Sequence, residues 1–394
     1  MRNLFCRKLI VLCCIVIFQS CKKDDSYEAT TSIDYTELDQ VLEPYFGAEI
    51  QFNNLNNYAN QIIPGYIIKD NTGTNVITNE KATLGRILFY DKNLSSDNTV
   101  SCASCHHQDL AFGDSNVASI GVNGATGRHS MRLVNSRFSV EQKFFWDERA
   151  ATLEAQTTQP IQDHIEMGFS GQDGDLDMSD LLDKLNSLEY YTAISNALYG
   201  DEFLTEARLQ ECLAQFVRSI QSFDSKFDEG LAQTNNINTP FSNYTDQENL
   251  GKTLFNDPPN ADGFGCVGCH QAPEFDIDVN SNNNGVIGVI SDLNATDLTN
   301  TKSPSLRNLF DYQGQLNGPL MHDASLTTIT DVLNHYNSID ATGNTNLDNR
   351  LLGEPGQNGQ QLNMTTDERD AVEAFLKTLS GQDVYTNTKW SDPF

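Results

Sequence analysis

Two stretches of this sequence repeat one another, and that repeat constrains the fold more than any other feature. Residues 84–91 read LGRILFYD, and ten residues further on the chain reads C-A-S-C-H (102–106). Residues 250–257 read LGKTLFND, and eight residues further on it reads C-V-G-C-H (266–270). Both copies fit L-G-[RK]-x-L-F-x-D, a loop, then C-x-x-C-H, about 165 residues apart. Their apolar residues fall at helical spacing, so each copy predicts a helix that delivers a loop. T-D-Q-E at 245–248, just ahead of the second copy, is a capping-box start signal. A repeat of this kind means two related domains. Few segments alternate as strands would. The expectation is a mainly α chain of two tandem domains with long loops, spanning 76–238 and 239–385, with 386–394 as a tail.

The residues ahead of the first domain divide in two. MRNLFCRKLIVLCCIVIFQSC begins with Arg2, Arg7 and Lys8 and continues in an apolar run from Leu9 to Phe18, too short to cross a bilayer. It ends in F-Q-S-C. A small residue before a cysteine, directly after such a run, resembles a bacterial lipobox. It predicts a lipoprotein signal peptide over 1–20 and lipidation of Cys21; a plain secretory signal is the alternative. K-K-D-D follows, resembling the tag of some surface-exported lipoproteins. Residues 21–75 are polar and Asn-rich and read as tether and extension, with one helix near YTELDQVLEPYF. The chain is thus expected outside the cytoplasm, held to a bacterial membrane by lipid alone and facing the periplasm or the cell surface. Its formal net charge of −29 argues against nucleic acid and is compatible with a basic protein partner.

Nine cysteines are present. Cys6, Cys13 and Cys14 belong to the signal, Cys21 to the lipidation site, and Cys212 lies in an amphipathic helical pattern that predicts a buried core thiol. The other four form the two C-x-x-C pairs. C-x-x-C-H is the attachment pattern of c-type heme. Its two thiols add across the vinyl groups of one porphyrin, and the histidine after the second cysteine becomes an axial iron ligand. Cys102, Cys105 and His106 would hold one covalent heme, and Cys266, Cys269 and His270 a second. Zinc is the competing reading but needs four ligands per closed site. A dithiol redox site would need a βαβ context that is not evident. His107, next to the first ligand, should point elsewhere.

Between the two motifs lies FFWDERAATLEAQTTQPIQDHIEMG (144–168). This closely resembles the di-heme cytochrome c peroxidase family, which includes the methylamine-utilisation di-heme oxygenases. The family reads F-W-D-G-R-A-x-x-L-x-x-Q and then G-P-I-x-x-P-x-E-M. Here Glu148 and Gln159 replace the two glycines and His164 replaces the second proline. SPSLRNL (303–309) and MHDASLTTITDVLNHYN (321–337) match the family's second-domain pattern. The resemblance covers roughly residues 78 to 385 and implies two tandem cytochrome c-like domains, each holding one heme. It also implies a peroxidatic first heme on His106 and an electron-delivering second heme on His270. Glu166 would be the distal acid–base, Gln156 would orient peroxide, and Trp146 would lie between the hemes. General acid–base catalysis and directed hydrogen bonding make those first two roles chemically sensible.

The resemblance also shows where this chain departs. Many family members cap the first iron with a removable histidine in a Gly-His loop. That loop here reads SIGVNGATGRHSMRLVN, and Gly121-Val122 stands at the Gly-His position. His129 falls where the family carries an asparagine of an interdomain calcium site, which puts that ion in question. The sixth ligand of the second heme falls at Tyr336, fourteen residues after His322, with Met321 as the alternative. Three functions follow as expectations. The first is a peroxidase reducing hydrogen peroxide with electrons from a small cytochrome or similar redox protein, as a monomer or homodimer. The second is a tyrosine-ligated oxidase acting on a protein or organic substrate. The third, a non-catalytic electron-transfer cytochrome, would have no use for Glu166 and Gln156.

Overall fold

The computed structural model describes residues 34–355 and 358–394. Cys21 and the signal segment lie outside the described residues. The extension supplies α1 (Thr36–Phe46), whose Leu38, Leu42 and Phe46 recur every four residues and are all buried. Helix α2 (Asn79–Tyr90) begins at Thr78, whose hydroxyl accepts from the Lys81 amide. The first half continues through α3 (Leu153–Thr157), α4 (Met178–Asn186), α5 (Glu189–Tyr199) and α6 (Glu206–Ser219). The second half holds α7 (Lys226–Thr234), α8 (Asp246–Asn256), α9 (Ile329–Asn337), α10 (Thr366–Lys377) and α11 (Asp383–Thr386). Helix α8 starts with the expected capping box of Thr245 and Glu248. Strand structure among the described residues is limited to two antiparallel pairs of two-residue strands, β1 (Ile120–Gly121) with β2 (Gly124–Ala125) and β3 (His270–Gln271) with β4 (Asp276–Ile277). The fold is therefore mainly helical. No helix among the described residues is long and apolar enough to cross a membrane.

The sequence repeat is a repeated helix crossing. A Cβ added to Gly85 of α2 would lie 2.0 Å from the carbonyl oxygen of Cys212 in α6. A Cβ added to Gly251 of α8 would lie 1.8 Å from the carbonyl oxygen of Ala371 in α10. In each pair the conserved-spacing phenylalanine fills the next turn. Phe89 packs on Phe216 with ring centroids 5.2 Å apart, and Phe255 on Phe375 at 5.3 Å. Glycine permits the approach of two backbones, and the aromatic pair supplies apolar area beside it. The crossing makes Cys212 part of the packing: its side chain is fully buried.

Two apolar cores result. The first gathers α1, α2, α4, α5 and α6; the second gathers α7, α8, α9 and α10. The change from one to the other falls between Ile220 and Phe227. Trp390, far along the C-terminal segment, is fully buried in the first core rather than the second.

Candidate functional site

Each C-x-x-C pair opens in a single tight turn, Cys102–Ser104 after α2 and Cys266–Gly268 after α8. The turns line two separate cavities. The first, of about 630 Å³, is lined by Cys102, Cys105, His106, Gln156 and Glu166. The second, of about 450 Å³, is lined by Cys266, Cys269, His270, Met321 and Tyr336. Both volumes fall in the range of ligand-sized cavities, roughly 300–1,000 Å³.

In the first cavity the His106 ring donates from Nδ1 to the Phe112 carbonyl at 3.1 Å, which leaves Nε2 with its lone pair. Burial pushes His106 down to about 4, so the ring is neutral near pH 7. Gln156 comes from α3, a short helix started by the Thr152 cap and held by the Glu154–Arg218 ion pair. Glu166 is half-buried, and its carboxyl is pushed up to about 7, first by burial and then by Asp163, with Arg149 opposing. Asp163 also fixes the local backbone: its carboxylate accepts the amides of Ile165 and Glu166 at 2.8 and 2.9 Å. The Val122 amide donates to the Glu166 carbonyl at 3.0 Å, so the Gly121-Val122 loop lies directly against the acid. A Cβ on Gly121 would sit 2.2 Å from the Ile165 carbonyl oxygen, which is why that position is glycine. His107 lines neither cavity; its amide instead closes a turn with Gly113 at 2.8 Å.

In the second cavity burial also holds His270 at about 4. Its Nδ1 is buried with no hydrogen-bond partner, in contrast to the tethered Nδ1 of His106. Met321 and Tyr336 both line this cavity and share one neighbour. Asn284 donates from Nδ2 to the Met321 sulfur at 3.2 Å and to the Tyr336 hydroxyl at 3.5 Å. Met321 sits at φ 71°, in a backbone region unusual for its type, at the turn that opens M-H-D-A-S. Burial raises the Tyr336 phenol well above its usual range.

Trp146 lines both cavities. Its indole N–H donates to the His129 carbonyl at 2.7 Å, its carbonyl accepts the amides of Thr301 and Lys302, and its ring meets His322 edge-on at 6.3 Å. The flanking residues Phe145 and Glu148 have φ of 69° and 56°. The family's glycine at 148 is thus a backbone requirement that Glu148 meets under strain. Thr301 and Lys143 hold its carboxylate at 2.7 and 3.1 Å. Arg128 bridges Asp147 and Asp297 at 2.9 and 2.6 Å, tying the tryptophan loop to the second half. His129 is buried between the cavities and donates from Nδ1 to the Asn116 carbonyl at 2.9 Å.

These features fit heme better than zinc. Each cavity offers two free thiols and, directly after the second in the chain, a neutral imidazole, within a largely apolar lining. No cluster of three or more His, Cys, Asp or Glu side chains able to hold a metal ion occurs among the described residues.

A family model described as di-haem cytochrome c peroxidase matches residues 79–236. The methylamine utilization protein MauG of Methylorubrum extorquens is 30% identical over 272 residues, 66% of this chain and 70% of that protein. Its namesake from Methylophilus methylotrophus is 28% identical over 315 residues, 78% of this chain and 84% of that protein. A solved MauG-like protein associated with microbial copper homeostasis superposes with a TM-score of 0.67 at 26% identity, over 85% of this chain and 99% of that one. The chain belongs to the di-haem cytochrome c peroxidase family. It is accordingly an oxidoreductase of a family built around two c-type hemes.

Sequence reasoning missed three participants. Asn284 sits in an Asn run without a motif, and its link to residues 321 and 336 is long-range. Arg132 and Lys302 line both cavities, yet each lies in a segment whose pattern gives no sign of it.

Proposed function

We propose that this chain is a peroxidase that reduces hydrogen peroxide to water at the first cavity with two electrons drawn through the second. The observation that carries this reading is the presence of Glu166, its carboxyl raised to about 7, in the lining of the same cavity as His106 and Gln156. Cys102, Cys105 and His106 would hold one heme, which would supply redox equivalents and an iron able to take peroxide. Glu166 accepts a proton from incoming peroxide and returns it to the departing oxygen, a task suited to a group titrating near neutrality. Gln156 orients the peroxide by hydrogen bonding. Cys266, Cys269 and His270 would hold a second heme able to accept electrons from a small redox protein, and Trp146, bordering both cavities, would lie on the path between the two. Attachment through the thiols, export and lipidation at Cys21, facing periplasm or cell surface, complete the proposal.

The second reading, an oxidase acting on an organic or protein substrate, is favoured by one observation: Tyr336 lines the second cavity as a candidate iron ligand. The deciding test for the peroxidase is Glu166→Gln in protein carrying both hemes. Turnover of peroxide should fall by about 10²- to 10⁴-fold, the usual contribution of a general acid–base. A fall of less than about threefold removes Glu166 from the mechanism on that scale.

A further inference from the structure

Two cations stand in the wall shared by the cavities, and neither faces a carboxylate of its own. Arg132 and Lys302 are among the few residues that line both. Arg132 is 9% exposed. Its Nη2 donates to the Ser305 carbonyl at 3.3 Å, its stem packs over Gly113, and its Nε is buried with no hydrogen-bond partner. Burial lowers the guanidinium to about 10; the Tyr385 phenol acts on it in the opposite direction, and Arg132 in turn helps to keep the neighbouring His129 ring neutral. The Lys302 ammonium lies 5.7 Å from the centre of the Phe144 ring. Burial lowers it to about 8; Glu141, Asp276 and Glu148 pull the other way from a distance, and Lys143 adds to the lowering. This chain has 54 acidic residues against 25 basic ones, so acids to pair with these two cations are in surplus. Neither cation is in an ion pair among the described residues, and leaving a buried or half-buried cation without one is unfavourable unless an anion arrives from elsewhere.

We propose that Arg132 and Lys302 form a carboxylate clamp between the two cavities that receives heme propionates. The proposal rests on the two-heme reading. Each heme has three fixed points of recognition: its vinyl carbons at the cysteine pair, its iron at the histidine, and its two propionates at the opposite edge. The cysteines and histidines account for the first two in each cavity and leave the carboxylate edge without a partner. A guanidinium presents a planar fork of N–H donors that matches a carboxylate, and the ammonium adds a compact charge beside it. A shared clamp has a consequence. Positive charge at the edge of a heme favours the reduced iron, which carries one charge less, so both sites draw on the same two residues for part of their potential.

The test uses the full chain matured with a heme-attachment system, as Arg132→Leu, Arg132→Lys and Lys302→Met. Mass spectrometry counts hemes, and a spectroelectrochemical titration reads each midpoint potential. Arg132→Leu should keep two hemes while at least one of them shifts toward the oxidised form by about tenfold at fixed potential, which is 59 mV for a one-electron couple. Lys302→Met should shift in the same direction, and Arg132→Lys should recover most of the loss. Two hemes with potentials unchanged in both Arg132→Leu and Lys302→Met would overturn the clamp. If Arg132→Leu fails to accumulate, Lys302→Met decides alone, because Lys302 is only half-buried. Unmodified protein with fewer than two hemes would refute the two-heme reading itself, a result distinct from unchanged potentials.

Discussion

Replacing Gly251 by alanine should weaken the second half of the molecule although alanine is the better helix former. The new Cβ would lie 1.8 Å from the Ala371 carbonyl oxygen, 2.4 Å from its carbon and 2.9 Å from the Phe375 Cβ. Two of these contacts are backbone, so no side-chain rotation relieves them, and α8 and α10 must part by more than an ångström. Separation of that size loosens the Phe255–Phe375 contact beside the crossing. Overpacking of a core costs about 1–3 kcal/mol, occasionally more, while glycine to alanine in a helix returns about 1 kcal/mol. A clash with backbone belongs at the upper end, so the net loss is about 2 kcal/mol. For a cooperative unit of roughly 150–250 residues that lowers the melting temperature by about 4–8 °C. Gly85→Ala should behave alike, its Cβ meeting the Cys212 oxygen at 2.0 Å. Gly65→Ala is the control, since nothing lies within 4 Å of its Cβ position. Thermal melts followed by circular dichroism and by heme absorption read all three. If Gly251→Ala melts with Gly65→Ala and the unmodified chain, the repeated glycine is not a crossing requirement and the reasoning fails.

The peroxide rate should rise with pH through about 7 as Glu166 becomes a base, and Glu166→Gln should flatten that limb of the profile. The same raised carboxyl means that the unfolded chain releases its proton first. The heme-free protein should therefore lose some stability as pH climbs from 4.5 to about 7, a trend absent from Glu166→Gln in denaturant melts at several pH values. Tyr336→Met should raise the potential of the second heme, because methionine favours the reduced iron, and an unchanged potential removes Tyr336 as its ligand. With Val122 fastened to the Glu166 backbone where a capping histidine would stand, the fully oxidised protein should contain one high-spin heme and react with peroxide without prior reduction. Low-temperature EPR and stopped-flow mixing check this, and an entirely low-spin, inert ferric protein contradicts it.

What the sequence made legible was what local chemistry dictates. C-x-x-C-H needs its residues adjacent, a capping box needs its partners three apart, and a helix crossing leaves glycine at one fixed place in a turn. The repeat could therefore be read before any contact was known. Glu148 was visible only as a departure from a glycine; its left-handed backbone and its grip by Thr301 and Lys143 needed coordinates. Met321 and Tyr336 were alternatives in sequence, yet they line one cavity and share Asn284, a relation that depends on where distant loops meet. Arg132 and Lys302 lay hidden for the same reason. Nothing in H-S-M-R-L or T-K-S-P distinguishes a solvated cation from one that lines two cavities.

The burial of Trp390 bears on how the protein is made. Its indole donates to Ser219 at 3.2 Å, Tyr90 donates to its carbonyl at 2.7 Å, and Arg86 reaches the neighbouring Ser391 carbonyl, also at 2.7 Å. The final residues thus complete the core that the earliest helices begin. During synthesis the first half emerges well before the segment that finishes it, and must wait for the whole second half to follow. Under the two-heme proposal, the first C-x-x-C-H would be offered for heme attachment on an unfinished core, still open to the approach of a porphyrin. Closure waits for Trp390 and Ser391, so removing that segment would cost the first core packing at the end it never seemed to touch.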